Sequence, residues 1–242
     1  MSFLITVFLN RLTEFLLLLF TTKSTNGMDK KIGIIGSGMV GIALANGLHR
    51  HDYQIMLGTN DASKHEDLTQ KTNGQVSIGT FEETADFSDL LILAVKGRFA
   101  EEVITKTGIG RIAGKIILDA TNPISEGPPT NGVIPFFTTL HDSLMERLQS
   151  LAPEAHFVKC FSIVGNALMV DPDFGGEKPT MFICGNNEYA KVVTTKLLTE
   201  IGWEAEDMGK VEAARAIEPL CILWCLPGMN RGQWRHAFKL LK

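Results

Sequence analysis

An α/β fold, built on a doubly wound and mainly parallel sheet with helices on both faces, is predicted by three features of the chain. Residues 31–48 pass from a β-branched strand through a glycine-rich turn into a helix of small residues. Continuous apolar runs at 90–95 and 115–120 have the length and composition of strands buried on both faces. Strand-like and helix-like segments alternate along the chain, which calls for right-handed crossovers between parallel strands. With 242 residues, 45% of them hydrophobic, the chain can bury a sizeable core as one large domain or a domain with an appendage.

Taken in order, the first strand covers residues 32–35 and its helix 39–48; strand two is expected at 53–57 and a short strand three at 75–78. Strand four at 90–95 is followed by a helix at 99–105, and strand five at 115–120 is closed by Asn122-Pro123, which forces an extended or turned exit. Residues 126–135, rich in Gly and Pro, read as a loop, after which helical periodicity resumes over 136–151. Further strands are expected at 156–161, 180–184 and 204–207, with a helix at 187–201 capped by Asn186. A long apolar helix is expected over 211–226, kinked by Pro219 or starting there, and a short closing helix over 230–241.

The glycine turn carries the first functional reading. In Gly36-Ser-Gly-Met-Val-Gly41, Gly36 permits the tight turn out of the strand, Gly38 lets backbone approach a pyrophosphate, and Gly41 lets the new helix pack close to the sheet. The helix then turns unpaired N–H groups and its positive dipole end toward phosphate. A dinucleotide is therefore expected at the carboxyl ends of strands one, four and five. About twenty residues past the glycines, where an acid would bind the ribose 2′-hydroxyl of NAD, the chain has Gly58-Thr-Asn-Asp61. Thr59 and Asn60 offer hydroxyl and amide donors to a 2′-phosphate and Lys64 offers charge, which favours NADP over NAD. The same residues also suit a capped turn into the next helix. The expected division is an apolar extension at 1–27, a dinucleotide-binding Rossmann domain at 28–150, and a smaller C-terminal α/β region at 151–242 packed on it.

A formal charge of −4, with the charges dispersed, gives no electrostatic case for nucleic acid. Cys160, Cys184, Cys221 and Cys225 are too few and too irregularly spaced for a disulfide framework and read as buried thiols. Cys221 and Cys225 share a helix face, but no histidine lies near enough in sequence to make a metal set. In residues 1–27 the apolar runs 3–9 and 15–20 are divided by Asn10, Arg11, Thr13 and Glu14, so neither approaches the ~18 residues of a bilayer span. The segment is expected to lie outside the fold, with a peripheral membrane anchor as the alternative, and the setting to be cytoplasmic.

Four segments, the glycine turn together with Asp119-Ala-Thr-Asn-Pro-Ile124, Val158-Lys-Cys-Phe-Ser-Ile-Val-Gly165 and Ala214-Arg-Ala-Ile-Glu-Pro-Leu220, occur in an order and spacing that resembles the coenzyme F-420-dependent NADP oxidoreductase family over residues 28–242. The same architecture includes the NADPH-binding domain of ferric reductases of the six-transmembrane type. The resemblance implies NADP on the N-terminal portion and a C-terminal pocket over the nicotinamide, where a deazaflavin (coenzyme F-420) or a flavin stacks. It implies that Ser37, Gly38, Met39 and Val40 hold the pyrophosphate and that Thr59 and Asn60 lie by the 2′-phosphate. Ala94, Val95, Lys96 and Asn122 would border the path from adenine to nicotinamide. Ser162, Val164 and Gly165 would lie near the nicotinamide and the second ring, with Met229 and Asn230 closing that pocket. The family's F-420 enzymes carry an arginine at the position of Asn60 and a histidine at that of Ser162. A homodimer is implied as well, and the apolar stretch 217–226 reads equally as its interface or as core.

Hydride transfer between two ring carriers needs no nucleophile, so no residue is assigned a catalytic role and no metal is expected. A dehydrogenase of a small organic substrate would need a general acid or base, and Lys96, His141 and His236 are the candidates. The plainer readings are a solvated loop lysine and two histidines on polar helix faces. Asp119 reads as a structural residue bonding the turn after strand five, and Arg215 with Glu218 as a local helical ion pair. A module that binds NADPH without turnover remains the third possibility.

Overall fold

A computed structural model describes residues 30–242, and the expectations for residues 1–27 fall outside them. Residues 31–242 form a compact unit around an eight-stranded sheet of order β3-β2-β1-β4-β5-β6-β7-β8. The strands are β1 (Lys31–Ile35), β2 (Gln54–Gly58), β3 (Ser77–Gly79), β4 (Leu90–Leu93), β5 (Ile116–Asp119), β6 (His156–Lys159), β7 (Thr180–Gly185) and β8 (Glu204–Asp207). All neighbours pair in parallel except β6 with β7, where Lys159 faces Cys184 in antiparallel register. The fold is therefore α/β and mostly parallel, as the alternation of segments predicts.

The centre of the sheet is dry on both faces. Ile34 and Ile35 of β1, Leu91 to Leu93 of β4 and Ile117 and Leu118 of β5 are fully buried, the condition that makes such strands continuous apolar runs instead of alternating ones. Strand order reverses beside β1, which has β2 on one side and β4 on the other, so the chain leaves these strands in opposite directions and a crevice opens at their carboxyl ends. The connecting helices are α1 (Met39–His49), α2 (His65–Lys71), α3 (Phe81–Phe87) and α4 (Ala100–Thr107); α5 (Leu144–Leu151), α6 (Glu188–Glu200), α7 (Ala214–Ile217) and α8 (Leu220–Arg231) follow.

Several boundaries differ from the sequence expectation, each for a local reason. Residues 136–143 are not helical. The Asp142 carboxylate accepts from the Thr139 N–H to make a turn, Phe136 bridges to Ile124, and Ser143 caps α5 by accepting from the Glu146 N–H. The cap of α6 is Asn187, accepting from Ala190, whereas Asn186 accepts from the Val211 N–H across the sheet edge. Pro219 marks a start: it is the N-cap of α8, and the residues before it form a short 3-10 turn and α7. No helix forms over 230–241, because Gly232 ends α8 in the left-handed region at φ +69°, and the chain then lies along β7, where the Thr180 N–H donates to the Phe238 carbonyl at 2.8 Å. His236 is accordingly not on a helix face; its ring stacks on Trp224 with centroids 5.0 Å apart, and its Nε2 lies 2.8 Å from the Trp224 carbonyl. His141 is exposed but sits in the turn before α5.

Candidate functional site

The turn between β1 and α1 is built from three glycines that do three different things. Gly36 has φ +120°, and a Cβ there would stand 2.4 Å from the Ala94 carbonyl oxygen. Gly41 lies so close to the preceding turn that a Cβ would come within 1.9 Å of the Gly36 oxygen. Gly38, by contrast, meets nothing within 4 Å, so no contact within the described residues excludes a side chain there. It is the N-cap of α1, no side chain caps that helix, and its first turn carries no acidic residue. The helix start therefore presents free N–H groups and positive partial charge to open space, the arrangement that binds an anion. Ser37, Met39 and Val40 flank this opening, with Met39 78% exposed.

A cavity of about 370 Å³ adjoins this turn, walled by Val40 of α1, by Val95, Lys96 and Arg98 after β4, and by Asn122 and Ile124 after β5. It lies at the strand-order reversal, where open α/β sheets bind ligands, and its volume is in the range of ~300–1,000 Å³ usual for small-molecule sites. Ala94 is buried at the end of β4, and its N–H is bonded to the Ile35 carbonyl, which fixes the β4 exit against the glycine turn. Arg98 forms an ion pair with Glu126 across the rim and lies over the Phe99 ring at 4.6 Å. Neither histidine nor cysteine is among the described residues lining the cavity.

Thr59 and Asn60 stand at the tip of β2, on the same rim. Thr59 is buried, and its hydroxyl oxygen accepts from the Asp61 N–H at 3.3 Å; the Asn60 Oδ1 accepts from the Phe81 N–H at 3.2 Å, which leaves its amide N–H₂ to donate. Asp61 is turned away into its own 3-10 cap, accepting from the Ser63 N–H and hydroxyl, and these bonds with Lys64 beside it hold its carboxyl below the usual range. Lys64 pairs with Asp61 at 3.5 Å and does not line the cavity.

The loop after β6 joins the cavity wall through Asn122, whose Nδ2 donates to the Ser162 carbonyl at 2.8 Å. Asn122 Oδ1 and Ser162 Oγ are both buried without a hydrogen-bond partner among the described residues; Asn122 lines the cavity, and Ser162 is joined to it through Asn122. Val164 is buried, and Gly165 packs against Trp224 of α8, where a Cβ would come within 2.6 Å of the indole. Met229 and Asn230 lie at the end of α8, half-exposed and exposed. Asn230 sits against Gly132 of the loop whose beginning forms the cavity wall; a Cβ on Gly132 would be 2.4 Å from its Oδ1.

Sequence reasoning missed the charged cluster beneath this wall. Lys159, 0% exposed, donates to the Asp119 carboxylate at 2.8 Å and the Thr121 carbonyl at 2.8 Å, and its Nζ lies 2.9 Å from the Glu218 carboxylate. Burial works to lower the lysine's pKa, but the two carboxylates outweigh it and push the value up. Asp119 does bond the turn after β5, accepting from the Thr121 N–H and hydroxyl. Glu218 does not pair with Arg215. It accepts from the Leu144 and Met145 N–H groups at the start of α5, while Arg215 grips Glu146 through its Nε at 2.9 Å. A lysine inside an apolar strand, and a glutamate inside an apolar helix start, were the signals available: neither is buried without a partner.

A larger cleft of about 690 Å³ lies at the opposite sheet edge, between β7, β8 and the closing segment. Its charges pair with one another, Lys239 with Glu204 and Lys242 with Glu206, and the glycine turn is remote from it. Of the four thiols, three are buried and Cys225 is half-buried; no disulfide links them and no group of metal-ligating side chains occurs among the described residues.

Comparison with known proteins agrees with this geometry. Residues 31–123, from β1 to just past β5, match the family described as NADP oxidoreductase, coenzyme F-420-dependent. The rat metalloreductase STEAP3 is 29% identical over 204 residues, which is 81% of this chain and 38% of that protein; the chain thus spans less than half the length of this curated relative. Among solved structures, a putative F-420-dependent NADP-reductase from Arthrobacter sp. FB24 superposes with a TM-score of 0.81 at 28% identity, over 88% of this chain and 99% of that one. An imine reductase from Aspergillus terreus shares the fold at a TM-score of 0.59 and 20% identity, over 84% of this chain and 63% of that one. The glycine turn and most of the cavity wall fall within residues 31–123, the segment that is similar to the coenzyme F-420-dependent NADP oxidoreductase family.

Proposed function

We propose that this protein transfers hydride between NADP(H) and a flavin-like acceptor held in the same cavity, with coenzyme F-420 as the leading acceptor. The observation that carries the reading is the opening at Gly38: a glycine with empty space in front of it, at an uncapped helix start, beside an apolar-walled cavity at the sheet's switch point. Gly38, Ser37, Met39 and Val40 would hold the pyrophosphate through backbone N–H groups. Thr59 and Asn60 would meet the 2′-phosphate, while the Asp61 carboxylate is engaged in its own cap by the Ser63 N–H and hydroxyl. Bound NADPH supplies the hydride. The chain's own residues position and desolvate: Val40, Val95 and Ile124 exclude water from the transfer path, and Asn122 with Ser162 offers an unused acceptor and donor to a polar group on the ring.

The two relatives at 28–29% identity bear names that differ in the acceptor, one F-420 and the other a metal, so both kinds of acceptor belong in the test. A homodimer is part of it, supported by the exposed Leu223 and Met229 on α8, and so is a cytoplasmic setting, which suits four free thiols. The test is oxidation of NADPH and NADH by the full chain with F-420, FMN, FAD and ferric chelates offered in turn. Rapid NADPH-selective reduction of F-420 is expected. Turnover with a flavin or ferric chelate alone reassigns the acceptor, and NADPH binding with no turnover of any of these refutes transfer to such acceptors in favour of an organic substrate or a sensing module.

A further inference from the structure

Just beneath the cavity lies a set of charged side chains that the proposed transfer does not itself use. The three N–H groups of Lys159 have three acceptors: the Asp119 carboxylate, the Thr121 carbonyl and the Glu218 carboxylate. Each acceptor ties in a different element. Asp119 takes the Thr121 N–H and hydroxyl, and Glu218 takes the first two N–H groups of α5. One ammonium thereby fixes the exit of β5, the end of β6 and the start of α5. Ala120 and Asn122, the neighbours of Thr121 on either side, are cavity-wall residues, and Asn122 extends the chain of bonds to the Ser162 carbonyl. Fold stability does not require such a device, because apolar residues of similar volume commonly replace a buried ionic cluster without loss. All three charges fall in the segments that carry the family resemblance, 119–124, 158–165 and 214–220.

We propose that Lys159 is a positioning residue: with Asp119 and Glu218 it holds the wall at residues 120–122 in one place, so that the nicotinamide ring resting on that wall is held in a single reactive pose. This rests on the reading of the cavity as the nicotinamide site. The nucleotide's pyrophosphate is gripped elsewhere, by α1, so the network governs the pose of the ring and not the affinity of the whole cofactor.

The double variant Asp119→Asn/Lys159→Met separates these roles. The introduced amide keeps an oxygen for Thr121, Glu218 keeps its two backbone donors, and the cluster's formal charge stays at −1, so what is lost is the ammonium that ties Asp119, the Thr121 carbonyl and Glu218 together. With the full chain, NADPH affinity is expected to change by no more than about 3-fold. The fluorescence lifetime of the bound nicotinamide is expected to move toward that of free NADPH, and single-turnover hydride transfer per bound nucleotide to fall on the order of 100-fold, the penalty for about an ångström of misplacement. A wild-type lifetime in a folded variant, or an unchanged transfer rate per bound nucleotide accompanied only by lower thermal stability, overturns the proposal. So does a large loss of affinity with the lifetime unchanged. If the double variant does not fold, Asp119→Asn alone, which weakens one of the ammonium's two carboxylate anchors and leaves its bond to the Thr121 carbonyl, is expected to move the lifetime and the transfer rate in the same direction by a smaller factor, and wild-type values for both overturn the proposal. If the wild-type protein passes hydride to no acceptor, the transfer reading fails, while the lifetime comparison still decides the positioning role.

Discussion

The three glycines of the β1–α1 turn predict opposite consequences for the same small change. A Cβ on Gly38 meets nothing within 4 Å, and the backbone there, at φ −80° and ψ −174°, is open to any residue. Gly38→Ala loses a modest N-cap preference and gains by narrowing the unfolded ensemble, two terms of about 0.4–1 kcal/mol that nearly cancel. The free protein is thus expected to melt within a few degrees of wild type. A ligand at 100 times its Kd stabilises the folded state by about 2.7 kcal/mol. For a unit of this size 1 kcal/mol corresponds to about 2–4 °C, so NADPH is expected to raise the wild-type Tm by about 5–11 °C. Gly38→Ala removes most of that rise, because the methyl occupies the place of a phosphate oxygen. Gly41→Ala is the control: its Cβ would stand 1.9 Å from the Gly36 oxygen, so overpacking of about 2–3 kcal/mol lowers the Tm of the free protein itself. Thermal scans with and without NADPH read both. A Gly38→Ala protein that keeps the full NADPH shift refutes the assignment of the phosphate site, and one destabilised without ligand refutes the claim that the space in front of Gly38 is empty.

Lys159→Met alone leaves two buried carboxylates facing an apolar chain and is expected to cost about 3–5 kcal/mol in urea unfolding; a loss under 1 kcal/mol would show that the cluster is not buried as described. The Glu146 carboxyl is held below its usual pKa by the Arg215 guanidinium and by Ser143. A depressed folded pKa stabilises above the unfolded value of about 4.3 and loses that effect as pH falls through the folded pKa. Arg215→Ala should therefore lower the urea midpoint at neutral pH and converge with wild type in acid; a constant gap across that window contradicts the pairing. Among the thiols, burial pushes Cys160 up and Cys184 to about 12, while the hydrogen bond between Cys221 and Cys225, with burial adding to it, raises Cys221 and draws Cys225 down. Iodoacetamide on the native protein is expected to label Cys225 first by mass spectrometry, and first labelling of Cys160 would contradict the packing.

Much of the nucleotide half was legible in the sequence because its signals are local. The strand, turn and helix at 31–48 satisfy one another within a single stretch, and the apolar runs of β4 and β5 state their own burial. The C-terminal half was less legible. The helix over 136–151 shrank to its last eight residues because Thr139, Asp142 and Ser143 redirect the backbone through side-chain bonds that periodicity does not register. The closing helix at 230–241 failed because one left-handed glycine and a bond to Thr180 turn the chain along β7 instead. Lys159 and Glu218 stand 59 positions apart in the sequence, and only the sheet and the α7–α8 junction bring them together. Arg215 and Glu218 looked like a pair by helical spacing, yet each found a partner on another element.

The single antiparallel step between β6 and β7 divides the molecule into two working ends. The carboxyl ends of β1, β4, β5 and β6 point to the rim that holds the glycine turn and the cavity, whereas those of β7 and β8 point the other way. The start of α6 follows β7 to that far rim, where the Asn187 side chain accepts from the Ala190 N–H and Lys191 joins Glu188 at 2.9 Å to Asp207 at 2.7 Å. A label, surface anchor or fused domain inserted near residues 186–188 or 208–210 would thus sit on the side away from the glycine turn, and the rim proposed to hold the cofactor would stay clear for an acceptor to come and go.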